Sequence, residues 1–172
     1  MANTHSFVIR TLDDWQNDAI NCAGICKDND LDNGQFVTRG DLGLKTDGGY
    51  EFACTLPLAN ATDLWLVEKP AVGSTIEQQE MSDPRYFYNP KGSAFSIKGL
   101  TAGRTFIEVP ASAFTTAPAD GKNTYASVDT NGRLVATNTK PTSGTYFTIE
   151  ATHTVDIGIE AVPTWILKCA AN

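Results

Sequence analysis

Ser93-Ala-Phe95-Ser-Ile97-Lys-Gly99-Leu-Thr-Ala-Gly103-Arg-Thr105-Phe-Ile107-Glu-Val109-Pro110-Ala-Ser-Ala-Phe114 decides the reading of the fold. Phe95 and Ile97 alternate with small or polar residues, which is the period of a half-buried strand. Leu100 to Gly103 turns the chain, with a glycine free to take positive φ. Thr105, Ile107 and Val109 share one face of a second strand, and Phe106 and Glu108 share the other. Pro110 ends that strand, because proline has no N–H to give to a ladder. The stretch reads as a β-hairpin and carries no catalytic chemistry.

The same grammar repeats outward from it. Gly34 to Thr38 is a short strand. Leu42 to Thr46 and Tyr50 to Leu56 flank Asp47-Gly48-Gly49 as a second hairpin, with Tyr50, Phe52 and Cys54 on one face. Asp63-Leu64-Trp65-Leu66-Val67-Glu68 is a nearly continuous apolar run, the mark of a strand covered on both faces, and is expected to be central. Trp65 is read as core. Thr124 to Val128 and Arg133 to Thr137 form a third hairpin across Asn131-Gly132, a strong hairpin signal. Tyr146 to Glu150 follows, then the alternation of Val155, Ile157 and Ile159, and Trp165 to Cys169 closes the chain. Strands every 8–12 residues with turn signals between them predict an all-β, single-domain sandwich or barrel built from hairpins.

Length and charge narrow the function classes. A chain of 172 residues suggests one domain. At this size roughly 70% of the unfolded chain's surface is buried, so no staple is needed. Twenty acids against thirteen bases leave a net charge of −7. Without a Lys/Arg cluster, nucleic acid and anionic membranes are poor partners, since both are neutralised by concentrated positive charge. No run approaches the about 20 apolar residues of a membrane span. Met1 to Ser6 lacks a basic and an apolar signal region, so synthesis in a cytoplasm without cleavable export is expected. Cys22, Cys26, Cys54 and Cys169 are then expected as free thiols. Asn60-Ala61-Thr62 matches a glycosylation pattern, without consequence in that setting.

Catalytic and metal-binding patterns are sparse. His5 and His153 sit in no recognisable motif, and neither a nucleophile elbow nor a phosphate-binding glycine loop occurs. Cys22-x-x-x-Cys26 has no second pair at zinc spacing. Asp28, Asp30 and Asp32 fit positions 1, 3 and 5 of a calcium loop. The glycine then falls at position 7, however, and Arg39 stands where a bidentate glutamate is required. The preferred reading is an acidic surface turn. Neither an enzyme nor a cofactor nor a metal is expected.

Two stretches are candidates for partner contact. Ala71 to Lys91 lacks periodicity, and a loop of that length in a compact domain is usually functional. It carries Tyr86, Phe87 and Tyr88, which suit an interface or packing on the protein's own sheet. Residues 1–25 hold a short strand at Ser6 to Leu12, then a loop and strand up to Ile25, with a capped helix as the alternative. Phe7, Ile9 and Trp15 are apolar residues that this segment buries poorly by itself. It is therefore an N-terminal arm that orders on a partner, with Trp15 as anchor, or an edge strand beside a β-rich domain of residues 26–172.

Three stretches together resemble small structural proteins of tailed-bacteriophage heads, of the capsid decoration or auxiliary type. They are Asn33-Gly34-Gln35-Phe36-Val37 with Gly40-Asp41-Leu42; Asp63 to Ala71; and Asp83-Pro84-Arg85-Tyr86-Phe87 running into Gly92 and Leu100-x-x-Gly103-x-x-Phe106. The similarity covers most of the chain after about residue 30, and its motifs are structural, so no functional residue carries over. The resemblance implies synthesis in the host bacterial cytoplasm and a place on the virion surface. It further implies binding to the major capsid protein as a homo-oligomer, such as a trimer, without nucleic acid or membrane. The competing expectations are a tail or head–tail adaptor subunit, and a carbohydrate-binding β-sandwich presenting Trp15, Trp65 or Tyr86.

Overall fold

A computed structural model describes residues 5–12, 21–44, 49–68, 84–119 and 124–172. In chain order the strands begin with β1 (Arg10–Leu12), β2 (Asn21–Ile25), β3 (Leu31–Asp32), β4 (Phe36–Leu44), β5 (Tyr50–Thr55), β6 (Leu64–Val67) and β7 (Tyr88–Asn89). They continue with β8 (Ala94–Gly99), β9 (Phe106–Pro110), β10 (Phe114–Thr116), β11 (Tyr125–Val128), β12 (Leu134–Thr137), β13 (Tyr146–Ile157) and β14 (Glu160–Ala171). A 3₁₀ turn, Ala111–Ala113, joins β9 to β10. The all-β expectation holds, and no α-helix occurs among the described residues.

The strands form two principal layers. One is a seven-stranded sheet in the order β1-β9-β14-β13-β11-β12-β10, and the other is a closed five-stranded barrel, β2-β5-β4-β6-β8. A two-stranded ribbon of β3 and β7 lies beside them. The first core lies between barrel and sheet, where Phe36, Leu64 and Leu66 pack with Ile107, Val109, Phe147, Trp165 and Leu167. The second fills the barrel with Cys26, Leu31, Val37, Cys54, Trp65, Val67, Phe95 and Ile97. Strand alternation in β6 divides Leu64 and Leu66 from Trp65 and Val67, so this four-residue strand serves both cores. The continuous apolar run predicted that double burial.

The opening hairpin is corrected. β8 pairs with β2 and β6 in the barrel, whereas β9 pairs with β1 and β14 in the large sheet. The turn signal itself is genuine. Gly103 has φ +79°, and the Arg104 and Thr105 N–H groups donate to the Thr101 carbonyl. The turn swings the chain between layers, and the Gly103 N–H donates to Cys169 O at 2.7 Å. The Asn131-Gly132 hairpin forms as expected, with Val128 opposite Leu134. Gly132 has φ +69°, and a Cβ there would lie 2.3 Å from Phe36 O. This turn is therefore also a close approach between the layers, sealed by Phe36 N donating to Gly132 O at 2.8 Å.

Candidate functional site

Two buried carboxylates organise the surface where the N-terminal residues meet the rest of the chain. Asp32, only 7% exposed, accepts from His5 Nδ1 at 2.7 Å, from the Ser6 backbone N–H at 2.9 Å and from Arg133 Nη2 at 2.8 Å. The expected acidic surface turn is corrected here: Asp28 and Asp30 are exposed, but Asp32 is internal because three donors surround it. It also stands opposite Tyr88 in the β3–β7 ribbon, and His5 stacks on the Tyr88 ring at 5.3 Å between centroids. The two stretches singled out for partner contact thus meet in space.

Glu108 is the second centre. It lies on the face of β9 opposite Ile107 and Val109, and is fully buried. It accepts from Arg10 Nε at 2.6 Å, Thr164 Oγ1 at 2.7 Å and His153 Nδ1 at 2.9 Å. Burial pushes its pKa up, but the Thr164, His153 and Arg10 hydrogen bonds together hold it below the ordinary carboxylate value. Because an ionised carboxylate only accepts, His153 carries its proton on Nδ1. β1, β9, β13 and β14 are locked together at this point.

Between these centres runs a shallow cleft lined by Phe7, Arg85, Pro110, Ala111, Ser112, Glu160, Val162 and Pro163. Arg85 Nη1 bridges it to Glu160 Oε2 at 2.6 Å, tying the segment before Tyr86 to β14. Ser112 Oγ is buried without a hydrogen-bond partner among the described residues.

Beyond the Glu108 contacts the β13–β14 hairpin continues as a two-stranded ribbon, whose Glu160, Val162 and Pro163 line that cleft. β11 covers β13 only at Tyr146 to Thr148, and β9 covers β14 only from Thr164 to Lys168. Beyond that, Ala151 to Pro163 are exposed or half-buried. The ribbon turns at Gly158 and Ile159, with Gly158 at φ +63°, and Ile159 at its tip is 103% exposed. Tyr146 to Leu167 contains Glu150, Asp156 and Glu160 and no Lys or Arg.

The six candidate contact residues divide as follows. Phe7 is buried on the cleft wall, and Ile9 is half-buried, its N–H donating to Glu108 O at 2.8 Å. Tyr86 is 56% exposed, with the Arg85 guanidinium 5.8 Å from its ring centre. Phe87 is buried and Tyr88 half-buried. Trp15 lies outside the described residues, as does most of the loop before Pro84. Within residues 1–25, β1 is an edge strand of the large sheet and β2 a barrel strand, so residues on both sides of position 25 share one barrel.

Sequence reasoning missed the ribbon. The alternation of Val155, Ile157 and Ile159 reads from the sequence as one strand running through Gly158. The Gly158-Ile159 pair is the two-residue loop that folds it back. His153, Arg85 and Glu160 were missed because their partners are distant in sequence.

Thiol chemistry is limited by local structure. Burial pushes the thiols of Cys54 and Cys169 up to about 11, so neither offers a thiolate at neutral pH. Among the described residues, no three His, Cys, Asp or Glu side chains converge as a metal site requires. Compared with protein families, curated proteins and solved structures, the chain has no match.

Proposed function

We propose that this chain is a structural protein of a tailed-phage virion, a decoration or auxiliary protein that binds the outside of the head and stabilises the capsid lattice. One observation carries the reading: the exposed, acidic β13–β14 ribbon with its apolar tip. Ile159 contributes nothing to the chain's own core, and together with the half-exposed Val155, Ile157 and Val162 it gives the end of the ribbon an apolar surface, which suits a contact. The sequence resemblance in three stretches points to the same class. The ribbon is stiffened at its root by Glu108 and braced by the Arg85–Glu160 pair. A protein presenting such a feature in many copies on a symmetric shell gains avidity from weak contacts. Tyr86, exposed next to the Arg85 that holds Glu160, supplies a second contact.

The test uses the purified chain and empty heads assembled from the major capsid protein of the phage that carries the gene. We expect co-sedimentation that saturates at a copy number set by the lattice symmetry, and heads that resist heating better when decorated. Heads that sediment without the chain would refute the reading.

A further inference from the structure

We propose that the outer edge of β13, from Thr152 to Asp156, pairs antiparallel with the same edge of a second copy, so that two ribbons become one four-stranded sheet. The inference does not depend on the virion reading.

The ribbon's own register shows which backbone groups are free. Thr154 stands opposite Pro163. Proline has no N–H, so this is a pair that exchanges no hydrogen bonds across the ribbon. The N–H and C=O of Thr154 therefore point outward. The two-residue period extends this to Thr152 and Asp156, opposite Trp165 and Ala161. Among the described residues, Ile149 N–H donates to Thr124 O at 2.9 Å on β11's side, and Pro118 and Ala119 line a pocket with Thr152 at the near end of the edge. From Thr152 to Asp156 the edge has no neighbouring strand among the described residues.

The two edges of the ribbon differ. On the β14 side, Pro163 removes a donor, Pro110 ends the adjoining strand, and the Arg85–Glu160 pair crosses the cleft. Proline and charge are the devices that blunt a sheet edge against pairing. The β13 side has neither a proline nor a lysine in this stretch. An isolated two-stranded ribbon is marginal in water, and a third and fourth strand relieve that.

The occupant is a second copy because the edge is complementary to itself. With the two-fold axis at Thr154, Thr154 meets Thr154 of the second copy, and each Asp156 meets Thr152. Thr–Thr pairs are favourable, and no carboxylate lies opposite another. On the outer face, Ile157 falls opposite Ala151 of the second copy, next to its cross-strand neighbour Ile166. Val155 falls opposite His153. The half-exposed Val155 and Ile157 of each ribbon are thereby covered by His153 and Ala151 of the second copy. The interface uses one patch on both copies, so it closes as a dimer and does not propagate.

Sedimentation equilibrium of the full chain tests this with two variants. Thr154→Pro removes an outward N–H and no bond within the ribbon. Thr152→Asp sets a carboxylate opposite Asp156 without changing the backbone. We expect a wild-type dimer. Both variants should dissociate at least about tenfold more readily. The Thr152→Asp effect should shrink in high salt, since charge repulsion is screened. Unchanged circular dichroism would show that both variants are folded. A wild-type monomer or trimer would overturn the proposal, as would a Thr152→Asp variant that dimerises at full strength at low salt.

Discussion

Glu108 shows how one residue can set the behaviour of a surface. A fully buried carboxylate on a strand is costly unless its oxygens are satisfied, and here Arg10, Thr164 and His153 satisfy them. The folded-state pKa lies below the ordinary value. The stabilisation is therefore present above the unfolded-state pKa and is lost as pH falls through the folded one. Glu108→Gln keeps the shape and removes the charge. It should cost about 2 kcal/mol in urea unfolding at pH 7, with the difference from wild type shrinking as the pH is lowered through the carboxylate range. A difference that stays constant with pH would mean that the charge plays no part. None of this was legible beforehand. Arg10, Glu108 and His153 are separated by 98 and 45 residues, and only the assembled sheet brings them together.

At the scale of elements, legibility followed whether the deciding interaction was local. The Asn131-Gly132 hairpin was read correctly because both strands and the turn lie within a few residues. The burial of Leu64 to Val67 on both faces was likewise written into four consecutive apolar side chains. Ser93 to Phe114 misled for the opposite reason. Alternation shows that β8 and β9 are strands, and Gly103 shows a turn, but neither says which distant strand each one joins. β8 chose β2 and β6, and β9 chose β1 and β14, because each buries its apolar face in a different core. The ribbon was hidden similarly, since Gly158 inside an alternating run resembles a strand residue until the chain doubles back. Gly132 combines a local role with a non-local one. Gly132→Ala would force a left-handed backbone on alanine and drive its Cβ against Phe36 O. We expect a loss of about 3 kcal/mol, measured as a lowered urea midpoint with unchanged slope. A variant as stable as wild type would show that the barrel and the turn separate freely at this point.

For the whole molecule, the decisive feature is that two cores share strands. Phe36 and Val37 are neighbours in β4, yet Phe36 belongs to the core between the layers and Val37 to the barrel interior. β6 divides in the same way. The C-terminal Asn172 adds a further tie, its side chain accepting from Leu64 N–H at 2.8 Å and donating to the carbonyls of Leu64 and Leu100. Removing the barrel would strip Phe36, Leu64 and Leu66 from the first core, and removing the large sheet would expose them. Neither layer therefore keeps its apolar surface covered without the other, and loss of one should carry the other with it. The chain contains its own reporters for this. Trp65 lies in the barrel core and Trp165 in the core against the sheet. Trp15 and Trp165 replaced by Phe leaves the first reporter alone, and Trp15 and Trp65 replaced by Phe leaves the second. Each reporter should be followed by fluorescence against far-ultraviolet circular dichroism of the same variant, because the Phe substitutions shift stability differently. We expect the two signals to coincide within each variant, giving one cooperative transition whichever core is observed. If the Trp65 signal moves at a lower urea concentration than the circular dichroism while the Trp165 signal stays with it, the barrel unfolds by itself. The shared strands would then fail to couple the layers.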